Sequence, residues 1–265
     1  MALAYCSLFS GSSGNSSIIA SDDTKIMIDA GLSGKSIQSE IAKIGIEAGS
    51  IKAIIVTHEH IDHVKGVGVL SRKFDLPIYA NELTWNAMHK KVGPIAQKNV
   101  RVFETGREFC IGDIEVYPFL IPHDAAEPVG YTFNYNKSKV TQLTDLGHFP
   151  KRLINIVENS DLIMLESNHD ETMLKNGRYP YMLQKRILGT RGHLSNDMCA
   201  NSCIDLMKRN CKRFVLGHLS EENNNEQLAY ETTLNSIKNS GAIEKQDFEL
   251  YMASRYKCSR VFVLE

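Results

Sequence analysis

The sequence predicts an α/β protein with two sheets and helices outside them, and three observations carry this prediction. First, short apolar runs end abruptly in polar residues at 25–29, 53–58, 140–145, 162–166 and 213–218. Such continuous runs are typical of strands buried on both faces. Second, segments of helical periodicity separate these runs. Third, two alternating runs elsewhere are typical of a meander packed on one face.

Each predicted element follows from its pattern. The helices have apolar residues at intervals of three and four, and in chain order they are 37–44, 64–74, 83–89, 153–157, 198–207 and 228–237. The alternating strands are 114–119 and 131–135. Because the sites of α/β folds lie at the carboxyl ends of strands, we expect the polar residues that end the apolar runs to converge at one edge.

Composition limits the class of protein. The 265 residues include 30 Lys+Arg and 31 Asp+Glu, a net charge of -1, which argues against a basic coat for bulk nucleic-acid binding. No apolar run approaches the ~18 residues of a membrane span, and the first residues do not resemble a secretory signal. The six cysteines are scattered without a CxxC pair. We therefore expect a cytoplasmic protein with reduced thiols.

The strongest chemical signal is segment 57–63, Thr-His-Glu-His-Ile-Asp-His, which follows a buried run. In a turn between strand and helix, His58 and His60 can face one ion while Asp62 and His63 face another. Imidazole and carboxylate together suit Zn²⁺, Fe or Mn²⁺ better than Ca²⁺ or Mg²⁺. A solvated loop that happens to be rich in histidine is the alternative, and the regular spacing disfavours it.

Further ligands must come from other parts of the chain, since one loop cannot complete two metal coordination spheres. The candidates are His123, Asp145 and His218, each of which follows an apolar run. Taken singly, such a residue is more often a helix cap or a hydrogen-bonded loop residue. Their order after segment 57–63 is what favours a metal-binding role.

This order of motifs resembles the metallo-β-lactamase superfamily, and the likeness spans nearly the whole chain. It implies the four-layer αββα sandwich. It also implies the ligands His58, His60 and His123 for one metal ion, Asp62, His63 and His218 for a second, and Asp145 as the bridge. Asp29 would stand behind the ligands and orient the histidine loop. Because these ligands must meet at one site, we expect a single domain over residues 1–265 with no inserted second domain.

Fold alone does not give function in this superfamily, so differences between its branches matter. Its diiron flavoproteins replace the second histidine of the motif with Glu, whereas this chain has His60. Its zinc β-lactamases lack the bridging carboxylate, which is Asp145 here. Its glyoxalase II-like thioesterases have a Gly-His-Thr-Pro-Gly-like third motif, which segment 121–125, Ile-Pro-His-Asp-Ala, does not match.

Segment 192–196, Gly-His-Leu-Ser-Asn, resembles the additional histidine motif of tRNase Z and related phosphodiesterases. The resemblance places His193 near the scissile phosphate, with Glu166 as its partner. A histidine there can protonate the leaving oxygen, because its pKa lies near working pH. Ser195 or Asn196 is expected to cap the following helix. The alternative is a helix-cap histidine in a purely structural ion pair.

Positive charge gathers just before this motif. Residues 173–196 contain no acidic side chain but five cations, Lys175, Arg178, Lys185, Arg186 and Arg191. Of these, Lys185, Arg186 and Arg191 are candidate contacts to substrate phosphates. Tyr179 and Tyr181 are candidate stacking surfaces for bases, although one of them is expected to pack in the core. A chance exposed face is the alternative.

The Gly/Ser-rich segment 7–17 has two interpretations. It is either a hairpin turn between two strands or a concavity whose backbone N–H groups bind an anion. In the second case Ser12 and Asn15 are candidate phosphate contacts.

In combination with segments 166–170 and 218–224, these motifs resemble the small bacterial WalJ-type (Yyc-operon) hydrolases. The resemblance implies a phosphodiesterase with two divalent ions (Zn, Mn or Fe), acting as a 5′→3′ exonuclease on double-stranded DNA. Two alternatives stay open: a hydrolase of a small thioester or cyclic nucleotide, and a metal-loaded, non-enzymatic regulator of cell-wall signalling. No firm role is predicted for His89, His148 and His169.

Overall fold

A computed structural model describes residues 2–264. Its strands are β1 Leu3–Phe9, β2 Ser16–Ala20, β3 Lys25–Ile28, β4 Ala53–Ile55, β5 Ile78–Ala80, β6 Val100–Val102, β7 Phe109–Ile111, β8 Ile114–Leu120, β9 Val129–Tyr135, β10 Ser138–Leu143, β11 Leu162–Glu166, β12 Arg213–Gly217, β13 Glu249–Met252 and β14 Phe262–Leu264. Its helices are α1 Gly34–Lys43, α2 Ile61–Val64, α3 Val67–Phe74, α4 Glu82–Val92, α5 Lys151–Val157, α6 Glu171–Asn176, α7 Tyr181–Ile187, α8 Asn196–Met207 and α9 Glu226–Asn239. Short 3₁₀ turns lie at Ala48–Ser50 and Gln97–Asn99.

The described chain divides into two compact units. The first comprises residues 2–120, 125–138 and 254–264, and the second comprises residues 121–124 and 139–253. The single domain expected for residues 1–265 stays a prediction. None of the helices described over residues 2–264 is long and apolar enough to cross a membrane.

The first unit contains a seven-stranded mixed sheet in the order β14-β1-β2-β3-β4-β5-β6. Strands β14 to β3 pair antiparallel, whereas β3 to β6 pair parallel. The parallel strands are short and apolar, and Met27, Ile54 and Ile78 have no solvent exposure. The predicted strands at 25–29 and 53–58 are thus confirmed as β3 and β4.

A second group of strands in the first unit is antiparallel. Strand β8 pairs with β7 on one side and β9 on the other, with Val116 opposite both Phe109 and Phe133. This confirms the meander predicted from the alternating runs 114–119 and 131–135.

The helix predicted over 64–74 is wrong in its continuity, because the chain forms two helices, α2 and α3, on either side of Gly66. The N–H of Gly66 donates to the carbonyl of Ala30 (2.7 Å) instead of continuing a helix. A Cβ at this position would lie 2.4 Å from the carbonyl oxygen of Leu32. The break therefore depends on a tertiary contact that helical periodicity does not report.

The second unit is built on the parallel strands β10, β11, β12 and β13, paired in that order. The first three confirm the predicted runs 140–145, 162–166 and 213–218. Helices α5, α8 and α9 confirm the predicted helices of this region, and α6 and α7 were not predicted. The hydroxyl of Ser195 caps α8 by accepting from the N–H of Met198 (3.3 Å), as expected.

The polar residues that follow three of the parallel strands share an unusual backbone. Asp29 after β3, Asp145 after β10 and His218 after β12 have φ of 56°, 63° and 56°. This left-handed region is uncommon for residues other than glycine, although Asp and His enter it more often than most. Such conformations persist only where the surrounding structure enforces them, and they cluster at functional sites.

Candidate metal centre

The carboxylate of Asp29 is fully buried and organises the histidine loop of the first unit. Thr57 donates its N–H to Oδ1 of Asp29 (2.8 Å) and its hydroxyl to Oδ2 (2.8 Å). Nδ1 of His63 lies 2.8 Å from the same Oδ2. Because a carboxylate only accepts, this contact places the ring proton of His63 on Nδ1. Its Nε2 then keeps the lone pair that a metal ion needs.

The same threonine orients a second imidazole. Oγ1 of Thr57 lies 3.0 Å from Nδ1 of His58 and, since its own proton goes to Asp29, it accepts from that nitrogen. The ring of His58 lies 4.6 Å from the ring of His60 and 4.1 Å from that of His63, centroid to centroid. The loop thus gathers three imidazoles, two of them oriented by buried oxygen atoms.

The Gly/Ser-rich segment lies against this loop. Asn15 donates its backbone N–H to the carbonyl of Asp62 (2.8 Å), and its Nδ2 lies 3.1 Å from Nε2 of His63. Gly31 permits this close approach, because a Cβ at its position would lie 1.7 Å from the carbonyl oxygen of Asp62. Asn15, a candidate phosphate contact, is therefore buried against Asp62 and His63, whereas Ser12 is exposed.

In the second unit, Asp145 lies among three histidines. Its Oδ1 is 3.3 Å from Nε2 of His218, 3.6 Å from Nε2 of His123 and 3.7 Å from Nδ1 of His193. With Glu166 added, the residues Asp145, Glu166, His193 and His218 offer ligand atoms that all lie within 4.8 Å of one another. Of these, Asp145 and His218 are buried and supply a carboxylate and an imidazole, the kinds of donor that suit Zn²⁺, Mn²⁺ or Fe.

Glu166 holds His193 in a fixed orientation. Nδ1 of His193 lies 2.7 Å from Oε1 of Glu166. The other carboxylate oxygen accepts from the backbone N–H groups of Leu146 (2.6 Å) and Leu194 (3.4 Å). Glu166 is fully buried, whereas the His193 side chain keeps 19% of its exposure. Nε2 is therefore the ring nitrogen that does not bind Glu166.

Two of the predicted phosphate contacts bind the protein itself. Nε of Arg191 donates to the carbonyl of His123 (3.0 Å), and Nδ1 of His123 lies 3.2 Å from the carbonyl of Gly192. Nε of Arg186 donates to Oδ2 of Asp124 (2.5 Å). Arg191 and Gly192 thus hold the backbone and the ring of His123 in place. The charge pattern alone did not predict this role.

A buried amide network behind the second unit's site was missed from the sequence. Asn224 donates from Nδ2 to Oδ1 of Asn196 (2.8 Å), and Asn196 donates from Nδ2 to Oδ1 of Asn224 (3.1 Å). The hydroxyl of Ser167 donates to the same Oδ1 of Asn196 (2.7 Å). These contacts join the segments that contain Glu166, His193 and His218. Only the clustering of Asn and Ser beside each motif could have indicated the network.

The remaining histidines differ in environment. His89 is exposed, with Nδ1 2.8 Å from the carbonyl of Asn86. Nδ1 of His148 lies 2.9 Å from the carbonyl of Thr190. His169 is buried, and neither ring nitrogen has a hydrogen-bond partner among the described residues. Burial away from water lowers the pKa of His169 to about 4.

The structure thus brings the predicted site residues together in two sets. The first unit gathers Asp29, His58, His60, Asp62 and His63, and the second gathers His123, Asp145, Glu166, His193 and His218.

Comparisons with known proteins identify the family of the chain. Residues 24–219 match the Beta-lactamase superfamily domain. The chain is 39% identical over 251 residues to exodeoxyribonuclease YycJ of Bacillus anthracis, covering 95% of each chain. It is 41% identical over 252 residues to exodeoxyribonuclease WalJ of Streptococcus pneumoniae, covering 94% of each. The crystal structure of the metallo-β-lactamase fold protein YhfI from Bacillus subtilis superimposes with a TM-score of 0.73 at 14% identity, over 98% of this chain and 99% of that one. The predicted metallo-β-lactamase fold is confirmed.

Proposed function

The chain belongs to the β-lactamase superfamily and to its WalJ-type subgroup, and from this membership we propose that it is a 5′→3′ exonuclease acting on double-stranded DNA. It is a metal-dependent hydrolase. The observation that supports phosphodiester chemistry most directly is the contact of His193 with Glu166 beside Asp145 and His218. This arrangement combines metal-binding groups with a separate, partly exposed proton donor. Its DNA substrate implies a cytoplasmic location.

The proposed cofactors are two divalent ions, chosen from Zn, Mn and Fe. Their proposed ligands are His58, His60 and His123 for one ion, Asp62, His63 and His218 for the other, and Asp145 as the bridge. The hydrogen bonds of Thr57 and Asp29 support this assignment, because they leave Nε2 of His58 and His63 as the ligand atoms. Divalent ions of this kind supply an activated water at neutral pH and offset charge on the phosphate.

The side chains divide the remaining work. Asp62 orients the attacking water, since its carboxylate lies beside His63 (Oδ2 to Nε2, 3.4 Å) at the edge of the histidine loop. Protonated His193 gives its Nε2 proton to the leaving oxygen, while Glu166 stabilises the charged ring through Nδ1. Asp29 orients His63 through its contact with Nδ1.

Substrate phosphates are proposed to contact Lys185 and Arg186 on α7, with Arg191 at its end. Arg191 has a double role, because the Nε of the same side chain orients His123. Ser12 is proposed as a phosphate contact from the exposed turn. Asn15 is proposed to contact a substrate phosphate close to the metal ions, since it lies against Asp62 and His63.

Three parallel assays test the function: metal-loaded protein is given bis(p-nitrophenyl) phosphate, a 5′-labelled DNA duplex and lactoylglutathione. We expect nucleotide release from the duplex and cleavage of the dye ester. Activity confined to the thioester would contradict the proposal.

A charge reversal then separates nucleic acid from a small substrate. Lys185→Glu should raise KM for the duplex, because the lysine no longer attracts the phosphates. Lys52→Glu changes an exposed lysine of the first unit and is the matched control. Equal KM values for the two variants would favour a small-molecule hydrolase. Arg191 is unsuitable for this charge reversal, because its loss would also disturb His123.

A further inference from the structure

Helix α7 presents an unusual outer face. Tyr181 and Met182 keep 66% and 75% of their exposure, and Lys185 and Arg186, one turn further on, are also exposed. Positions three and four apart share a helix face, so these four side chains form one surface, called here the α7 face. Adjacent exposed large apolar side chains in a polar surround are characteristic of contact sites.

The last residue of α7 lies next to the proposed proton donor. The carbonyl of Ile187, the last residue of α7, accepts from the N–H of His193 (3.0 Å). Gly192 permits this approach, since a Cβ there would lie 2.1 Å from the carbonyl oxygen of Ile187. Tyr181 lies six residues before Ile187, which is about 9 Å along the helix axis. That distance is roughly that of three nucleotides in a DNA strand.

The chemistry of the α7 face fits the end of a nucleic acid. Residues 173–196 include five cations and no acidic side chain. Nζ of Lys185 lies 4.9 Å above the centre of the Tyr181 ring, so a positive charge and an aromatic surface are held together. Arg186 is oriented by its ion pair with Asp124. Stacked bases and their phosphates need both kinds of contact.

We propose that Tyr181 and Met182 form a wedge that parts the terminal base pairs of a DNA duplex, so that one strand reaches His193. This inference rests on the proposed function, since only an enzyme that degrades one strand of a duplex needs to open the end. Apolar side chains inserted between base steps unstack DNA, and an aromatic ring replaces the lost stacking. Lys185 and Arg186 then hold the phosphates of the displaced end.

The test compares two duplexes that differ only at the 5′ end: one is fully paired and blunt, and the other has three mismatched terminal pairs. The double variant Tyr181→Ala/Met182→Ala should degrade the blunt duplex roughly 5- to 100-fold more slowly, the range expected for loss of one base–aromatic contact. The mismatched duplex, already open, should be degraded within about 3-fold of the wild-type rate. The single variant Tyr181→Trp, which keeps an aromatic ring, should degrade the blunt duplex at the wild-type rate.

Tyr256→Ala is the matched control. Tyr256 belongs to the first unit, is 71% exposed, and has the guanidinium of Arg255 5.9 Å above its ring. It should leave both rates unchanged. Equal losses on the two duplexes, or no loss on either, would overturn the wedge while the wild-type enzyme remains active. A wild-type protein that releases no nucleotide from either duplex would instead contradict the proposed function itself.

Discussion

Each unit of the molecule contains a histidine held by a buried carboxylate, and the two pairs have nearly the same geometry. Nδ1 of His63 lies 2.8 Å from Asp29, and Nδ1 of His193 lies 2.7 Å from Glu166. Both carboxylates have no exposure and both accept a backbone N–H. The pairs differ in exposure of the imidazole: the side chain of His63 is fully buried, whereas that of His193 is 19% exposed.

This difference in exposure separates a histidine that binds a metal ion from one that reacts with the substrate. A carboxylate behind an imidazole fixes the tautomer and raises the basicity of the other nitrogen, which suits a metal ligand and a proton donor equally. Exposure then decides between the two. The buried His63 has no exposure to solvent, whereas the partly exposed His193 is accessible to a substrate. Variants that alter each pair in turn test this distinction.

The largest effect is expected beside the buried pair, from Asp62→Ala. Asp62 combines a proposed metal contact with orientation of the attacking water, so kcat should fall on the order of 10⁴-fold. Turnover of the dye phosphodiester at saturating metal measures it. A loss smaller than 10-fold would mean that the second ion does not need this carboxylate.

The exposed pair should lose turnover but not metal. His193→Ala removes the proton donor, and we expect kcat to fall roughly 10²- to 10⁴-fold. Metal analysis of the purified variant should still find the wild-type content. His89→Ala, which removes an exposed histidine of the first unit, is the control. Loss of metal from His193→Ala would show that His193 is itself a ligand, and the two pairs would then be equivalent.

Substitutions of the two carboxylates should likewise separate an effect on metal binding from an effect on turnover. Asp29→Asn should weaken metal binding roughly 10- to 100-fold, because an amide holds the Nδ1 proton of His63 less strongly. Glu166→Gln should reduce kcat and leave metal affinity near that of the wild type. Competition with a chromophoric chelator gives both affinities. The contrast fails if Glu166→Gln loses metal as readily as Asp29→Asn.

A smaller effect concerns His169, whose pKa is lowered to about 4 by burial. The unfolded chain, with a histidine pKa near ~6.5, binds this proton first, so stability is complete above that pH and falls as the pH drops towards 4. Between pH 7 and pH 5 His169 should account for about 2 kcal/mol of lost unfolding free energy. Urea unfolding of wild type and His169→Phe at both values measures the difference. Identical losses in the two proteins would contradict the buried, neutral state of His169.

The strand-end residues could be predicted from sequence because the signal is local. Asp29, Asp145 and His218 each follow an apolar run, and the structure places each after a parallel strand. The family resemblance supplied their order and the sandwich fold. The motif pair of His193 and Glu166 was expected from the same resemblance, and the structure places the two in contact.

Other features could not be predicted, because they depend on which distant segments pack together. Thr57 connects Asp29 to His58, yet nothing in its sequence context indicates two partners. Arg191 was predicted only as a phosphate contact, and its donation from Nε to the carbonyl of His123 had no signal in the sequence, since the turn at Gly192 brings the two side by side. The exposed apolar residues of α7 likewise have no local signal, because exposure is a property of the assembled fold.

Metal-dependent hydrolysis of DNA is tested most directly by the release of labelled nucleotide from a 5′-labelled duplex by the wild-type protein, first stripped with a chelator and then titrated with Mn²⁺ or Zn²⁺. We expect no release from stripped protein, release that rises with added metal until about two ions are bound per chain, and loss of release in His193→Ala at full metal content. Nucleotide release that persists without metal, or metal-loaded wild-type protein that leaves the duplex intact, would contradict this expectation.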